Sequence, residues 1–178
     1  MQRCPSGTRL LILDLDGTLI DSAPGIVRTF NATLLDIGVA PAPALDVAAL
    51  IGLPLEDMYR RLLPAHLLSH IPDRVAAYRR RYAVQELPSM RAFAGVDDTL
   101  RRWRQQGGVS TVATSKRAAV AMRAIEVAGL ASLIGMIVGD DQVTRKKPHP
   151  EMVLRILSAY HCAPEQALLV GDTTHDLR

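Results

Sequence analysis

Four short apolar runs stand out in the hydrophobic pattern of the chain, and each is bounded by glycine or polar residues. They are Leu10–Leu13, Val109–Ala113, Met136–Val138 and Ala167–Val170. Continuous apolar runs of this length are typical of strands buried on both faces of a parallel sheet. The pattern therefore predicts four parallel strands.

Helical patterns separate the later runs and cover residues 96–106, 116–128 and 150–160. Asp97 and Asp98 open the first pattern, where negative charge suits the helix dipole. Gly129 follows the second and is a natural C-cap. Alternating strands and helices predict an α/β fold with a doubly wound parallel sheet, and ligands bind such sheets at the carboxyl ends of the strands.

The stretch between residues 22 and 94 differs, because it has helical patterns, separated by prolines, and no convincing strand. Helices are predicted over 24–35, 44–51, 55–63 and 72–85. We predict that residues 1–21 and 95–178 form the α/β core. Residues 22–94 are predicted to form a helical cap inserted after the first strand.

Composition narrows the possible functions. An apolar content of 48% suits a globular protein, and the small net charge of +3 suits an anionic substrate. Two Phe and one Trp offer few stacking platforms, so we expect no nucleic-acid partner. Cys4 and Cys162 form no CxxC pair, and no apolar run is long enough for a membrane span or signal peptide. We expect a cytoplasmic protein without a membrane partner; the oligomeric state is not predicted.

Asp14 and Asp16 lie directly after the first predicted strand, in the segment DLDGT. Side chains two positions apart on a strand point the same way, so the two carboxylates would repel each other unless a cation lies between them. Mg²⁺ prefers such oxygen ligands, and Gly17 allows a sharp turn after the strand. The alternative is an ordinary Asp-Gly turn without function.

A second acidic pair follows the last predicted strand, in the segment GDTTHD. If a helix begins there, Asp172 and Asp176 share one of its faces. Taken alone, this segment is equally well explained as an acidic helix N-terminus. Together with Asp14 and Asp16 it predicts a metal site.

Two further segments lie at predicted strand ends or loops. Thr114, Ser115 and Lys116 could cradle a phosphate at a helix start, although plain helix capping is the simpler explanation. The loop KKPHP places Lys147 where it could neutralise carboxylates and a phosphoryl group, or form only a solvated basic loop.

The segments DLDGT, TSK, KKPHP and GDTTHD, in this order, resemble the four motifs of the haloacid dehalogenase-like superfamily. The resemblance spans almost the whole chain. The segment DGTLIDSAPGI and the helical insert resemble the phosphoglycolate phosphatase-like branch. The resemblance implies a Mg²⁺-dependent phosphatase that hydrolyses a small phosphorylated metabolite.

The resemblance also implies roles for individual residues. Asp14 would attack phosphorus and form an aspartyl-phosphate, and Asp16 would protonate the leaving group and then activate water. Thr114, Ser115 and Lys147 would hold the phosphoryl oxygens. The Mg²⁺ site would be formed by Asp14, the backbone carbonyl of Asp16, Asp172 and, as a supporting residue, Asp176.

Several relatives of this superfamily fit less well. Dehalogenases lack the second aspartate of the first motif, which is present here as Asp16. Phosphonoacetaldehyde hydrolases use a lysine in the cap, and residues 22–94 contain none. A phosphomutase is less favoured because no arginine follows Gly52 closely. A phosphotransferase, a pyrophosphatase and a catalytically silent interaction module stay open as alternatives.

The chain ends two residues after Asp176. Proteins that it resembles continue with a helix and at least one more strand. We therefore expect a C-terminal strand and helix to be missing, and the 178-residue form to be less stable than a longer one or to swap or aggregate.

Overall fold

The computed structural model describes residues 9–176, and a parallel sheet forms their centre. All four predicted strands are present: β1 (Leu10–Leu13), β2 (Val109–Ala113), β3 (Met136–Val138) and β4 (Ala167–Val170). Their order in the sheet is β3-β2-β1-β4, and each neighbouring pair is parallel. The predicted α/β fold with a parallel sheet is confirmed. The prediction about Cys4 lies outside the described residues.

Seven α-helices are present in the described part of the chain. They are α1 (Ala23–Leu35), α2 (Ala44–Ala48), α3 (Leu55–Leu62), α4 (Ile71–Gln85), α5 (Val96–Gln105), α6 (Ala118–Val127) and α7 (Glu151–Tyr160). Two of them, α2 and α6, are shorter than predicted by more than one residue. After α2 the chain turns toward Gly52, whose φ of +102° lies outside the helical region. α6 begins late because Arg117 has an extended backbone.

Successive residues of β1 face opposite sides of the sheet, and both sides are covered. Leu10 and Ile12 pack in a cluster with Met152 and Ile156 of α7. Leu11 and Leu13 belong to a larger cluster that includes residues of α1 and α4. This double burial explains why the strand is a continuous apolar run rather than an alternating one.

Helices α1 to α4 lie in one stretch, which we call the helical segment (residues 22–94). Within it, Phe30 of α1 stacks on Tyr59 of α3, with their ring centroids 4.3 Å apart. Ile20 and Ala92 form an antiparallel bridge, so the chain leaves and re-enters the region of the sheet side by side. The division into a core and a cap stays a prediction.

The residues after β4 form bends and a turn up to Asp176, so no helix starts within the described part of this segment. β4 is the last strand of the sheet on its side, and its Leu168 is 58% exposed. The predicted loss of stability and the missing C-terminal elements stay predictions. Among residues 9–176, no helix combines the length and the apolar character that crossing a bilayer requires.

Candidate active site

Three carboxylates converge where β1 and β4 end. Asp14 follows β1, and Asp172 and Asp176 follow β4, whose Val170 is paired with Leu13. Each of the three aspartates offers one oxygen within 4.8 Å of the oxygens of the other two. The first and last acidic segments therefore meet at one edge of the sheet, and the metal-binding roles of these three residues stay predictions.

Lys147 pairs with two of these carboxylates. Its Nζ lies 2.8 Å from Oδ1 of Asp14 and 2.5 Å from Oδ1 of Asp176, and its side chain is 8% exposed. Burial raises the pKa of Asp14 to about 6, and the charge of Lys147 acts against this shift. Although burial favours the neutral acid at Asp176 as well, its hydrogen bond with Lys147 holds the pKa of Asp176 below its usual range.

The three carboxylates suit a hard divalent cation. Mg²⁺ takes oxygen ligands, and one lysine does not balance three neighbouring acidic groups. Desolvation also raises the pKa of Asp172, which indicates that neighbouring groups do not fully stabilise its carboxylate. Gly17, with a φ of +78°, leaves room for Asp172, because an added Cβ would clash with its carboxylate. The residues present therefore fit Mg²⁺.

Asp16 has different side-chain partners from Asp14. Its Oδ1 lies 2.5 Å from Nζ of Lys116 and also accepts a hydrogen bond from the hydroxyl of Ser22. The prediction that the side chains of Asp14 and Asp16 point the same way assumed that the strand includes both residues, but β1 ends at Leu13. The side chain of Asp16 lies outside the three-carboxylate cluster. A metal contact through its backbone carbonyl stays a prediction.

The predicted phosphate-binding residues follow β2. Thr114 is buried, and its Oγ1 accepts a hydrogen bond from the backbone N–H of Lys116 at 3.2 Å. Ser115 donates its hydroxyl hydrogen to the carbonyl of Gly52, 2.6 Å away, and so links this turn to the helical segment. Their phosphate-binding roles, and that of Lys147, stay predictions.

A cleft of about 110 Å³ lies between the helical segment and the strand ends. Asp16, Ser115 and Lys116 line it from the side of the sheet, and Tyr78 and Tyr82 of α4 line it from the other. The sequence pattern placed Lys116 in a possible phosphate cradle but predicted neither its contact with Asp16 nor that of Ser22. The available signal was that Lys116, one of only three lysines in the chain, belongs to the segment predicted to bind phosphate.

Comparison with known proteins supports the interpretation of this site. The family model described as haloacid dehalogenase-like hydrolase matches residues 11–178. The chain belongs to the haloacid dehalogenase-like hydrolase family. The match includes all seven residues to which catalytic, phosphate-binding or metal-binding roles were assigned: Asp14, Asp16, Thr114, Ser115, Lys147, Asp172 and Asp176.

Relatives within the family are named as phosphatases. A probable phosphatase, IndB, from Dickeya dadantii is 40% identical over 174 residues, which cover 94% of this chain and 74% of the relative. A phosphoglycolate phosphatase from Cupriavidus necator is 32% identical, with coverage of 94% and 74%. The prediction of an enzyme, a haloacid dehalogenase-like hydrolase with phosphatases among its relatives, is confirmed.

A solved structure extends the similarity to the fold. A haloacid dehalogenase-like hydrolase from Streptococcus pneumoniae superimposes with a TM-score of 0.82 at 26% identity, over 97% of this chain and 79% of the other. The fold of this family is therefore present over nearly all of the chain.

Proposed function

We propose that the chain is a Mg²⁺-dependent phosphatase that hydrolyses a small phosphate monoester, of the kind represented by phosphoglycolate, through an aspartyl-phosphate. The observation that carries the proposal is the position of Asp14, which is buried beside Lys147 and within 4.8 Å of the carboxylates of Asp172 and Asp176. The name of the relative from Cupriavidus necator supports the choice of substrate.

In the first step, a carboxylate oxygen of Asp14 attacks phosphorus, and the bond from phosphorus to the ester oxygen breaks. Asp16 gives its proton to the departing oxygen, so the leaving group departs as an alcohol. In the second step, Asp16 accepts a proton from water, and the hydroxide attacks the aspartyl-phosphate. Phosphate leaves, and the carboxylate of Asp14 is restored.

Lys147 lies beside the nucleophile, where its charge would stabilise the phosphoryl oxygens as negative charge spreads over them. Thr114 would add a hydroxyl donor from the end of β2. Mg²⁺, held by Asp14, Asp172, Asp176 and the carbonyl of Asp16, would neutralise phosphoryl charge. Ser22 and Lys116 hold the carboxylate of Asp16 in place.

The test is phosphate release from phosphoglycolate, other small esters and pyrophosphate, with Mg²⁺ or with EDTA. Asp14→Asn keeps the shape of the side chain and removes the nucleophilic charge, so activity should fall by about 10³-fold or more. Equal activity in the variant and the wild type would contradict the role of Asp14. If the protein prefers pyrophosphate to the monoesters, it is a pyrophosphatase. If it transfers phosphate to a sugar, it is a phosphotransferase.

We also propose that the protein acts in the cytoplasm on a phosphorylated metabolite and has no nucleic-acid or membrane partner. The support is compositional, namely the low aromatic content of 4% and the small net charge of +3. Fractionation of cells that express the protein, followed by immunodetection, tests the location.

A further inference from the structure

Each aspartate of the DLDGT segment has its own lysine. Lys147 pairs with Asp14, the proposed nucleophile, and Lys116 pairs with Asp16, the proposed proton donor. The proton donor must lie beside the oxygen of the leaving group during the first step. Because Nζ of Lys116 is 2.5 Å from Asp16, its ammonium lies on the leaving-group side of the site.

The surroundings of Lys116 favour an anion as its additional partner. Its side chain is 14% exposed, and its Nζ lies 5.1 Å from the centre of the Tyr82 ring. A lysine ammonium carries a positive charge at neutral pH, and here it lies in a mostly buried position. Apolar side chains form much of the remaining wall of the cleft: Ile26, Ile51, Leu53, Leu55, Met58 and Val120.

The arginines that line the cleft are more exposed and have acidic partners outside it. Arg79 pairs with Glu56 at 3.2 Å, and its side chain is 41% exposed. Arg117 pairs with Asp141 at 3.5 Å and is 54% exposed. Exposed pairs are screened by water, whereas a desolvated ammonium interacts strongly with a nearby anion. Lys116 also has an acidic partner, Asp16, but its side chain is the least exposed of the three cations that line the cleft, so it is the best placed to act on a bound ligand.

We propose that Lys116 is a specificity-determining residue that recognises a second anionic group, on the leaving-group side of a small phosphate substrate. This inference rests on the proposed function and assigns its substrate class. The cleft volume of about 110 Å³ is well below the ~300–1,000 Å³ of pockets for drug-sized ligands, so the tail that fits has few atoms. A carboxylate one carbon from the ester oxygen meets this description, and the second phosphate of pyrophosphate shares its charge.

The experiment compares kcat/KM for phosphoglycolate, ethyl phosphate and pyrophosphate in the wild type and in Lys116→Met. Ethyl phosphate has a tail of similar size without the carboxylate. A lost charge-assisted contact should reduce activity on phosphoglycolate ~10–100-fold more than activity on ethyl phosphate. If Lys116→Met instead loses activity selectively on pyrophosphate, and not on phosphoglycolate, the anion that Lys116 recognises is a phosphate. Lys116→Arg should retain part of the preference.

Lys146→Met is the matched control, because Lys146 pairs with Asp140 at 2.8 Å and its loss removes the same charge. It should leave the ratio of the two esters unchanged. Equal losses on both esters in Lys116→Met would overturn the proposal and make Lys116 a positioning residue for Asp16. An unchanged ratio with unchanged activity would overturn it as well.

A wild type that hydrolyses none of these compounds would contradict the proposed function, and binding would then decide on Lys116. Calorimetry with phosphoglycolate and ethyl phosphate should show a preference for the carboxylate in the wild type and its loss in Lys116→Met. Absence of that preference in the wild type, or its persistence in the variant, would overturn the assignment.

Discussion

The Nζ of Lys147 lies 2.8 Å from Oδ1 of Asp14, although 133 positions separate the two residues in the sequence. The contact joins the end of β1 to the loop before α7. It places the ammonium of Lys147 beside the group that we propose as nucleophile. Asp176 accepts from the same ammonium, so one lysine holds two buried carboxylates together.

Replacing Lys147 with methionine should reduce both activity and stability. Phosphoryl charge would lose one stabilising group, and we expect kcat to fall by about 10²–10³-fold. Asp14 and Asp176 would also lose their cation in a buried site, which costs about 3 kcal/mol of the free energy of unfolding. Steady-state kinetics and urea denaturation measure the two effects. Lys146→Met is the control for kinetics, and a kcat equal to that of the wild type in Lys147→Met would contradict the role.

Mg²⁺ should stabilise the folded protein, because the three-carboxylate cluster exists only in the native state. An ion at 100 times its Kd adds ~2.7 kcal/mol, and each kcal/mol raises Tm by ~2–4 °C in a chain of this size. Asp172→Asn should abolish most of this shift. Asp141→Asn should leave it intact, because Asp141 lies after β3 and its carboxylate accepts from the backbone N–H of Ala118 at the start of α6. The measurement is the Tm of each protein, determined by thermal denaturation with Mg²⁺ and with EDTA. A full shift in Asp172→Asn would place the ion elsewhere.

Alanine substitutions at two glycines with similar φ angles should affect the stabilisation by Mg²⁺ differently. Gly17 has φ +78° and Gly38 has φ +72°, so either substitution incurs the strain of a left-handed residue, about 1 kcal/mol. An added Cβ at Gly17 would also clash with Asp172, whereas nothing lies within 4 Å of the same atom at Gly38. Gly17→Ala should therefore weaken the stabilisation by Mg²⁺, and Gly38→Ala should not. Equal responses to Mg²⁺ would show that the contact with Asp172 has no effect on the site.

Tyr59 should make the protein sensitive to alkaline pH. Burial raises the pKa of Tyr59 to about 12, against ~10 for tyrosine in an unfolded chain. Because the folded state holds this proton more tightly, the contribution to stability is complete below about pH 10 and is lost as the pH rises through about 12.

Tyr59→Phe tests this contribution. The variant loses the hydrogen bond between the phenol and Thr33, 2.5 Å long, which costs about 1 kcal/mol near neutral pH. The difference in the free energy of unfolding between wild type and variant should shrink between about pH 10 and 12. A difference that stays constant across this range would show that Tyr59 does not titrate differently in the two states.

The sheet was predictable because its signal is local. Each strand is a short, mostly apolar or β-branched run, and β1, which is buried on both faces, is a continuous apolar run. The convergence of Asp14, Asp172 and Asp176 followed from the rule that parallel strands end at one edge. Helix ends were less predictable. α2 ends early because the chain turns toward Gly52, and α6 begins only after Arg117, whose backbone is extended.

The partners of Asp16 could not be read from the sequence. Lys116 reaches Asp16 only because β1 and β2 are neighbours and the turn after β2 folds back over their ends. Ser22 reaches it because the chain doubles back after Gly17. Such contacts depend on the packing of elements far apart in the chain, and no periodicity or spacing encodes them.

The hydrogen bond from Ser115 to Gly52 uses a backbone carbonyl on the side of the helical segment. A carbonyl is common to every residue, so this attachment does not constrain which side chains stand at Ile51 and Leu53, both of which line the cleft. We therefore expect that the side chains at these two positions can change while the hydrogen bond between Ser115 and Gly52 persists. If the cleft binds the substrate as we propose, single substitutions at these two positions should change substrate preference without loss of the link between the turn after β2 and the helical segment.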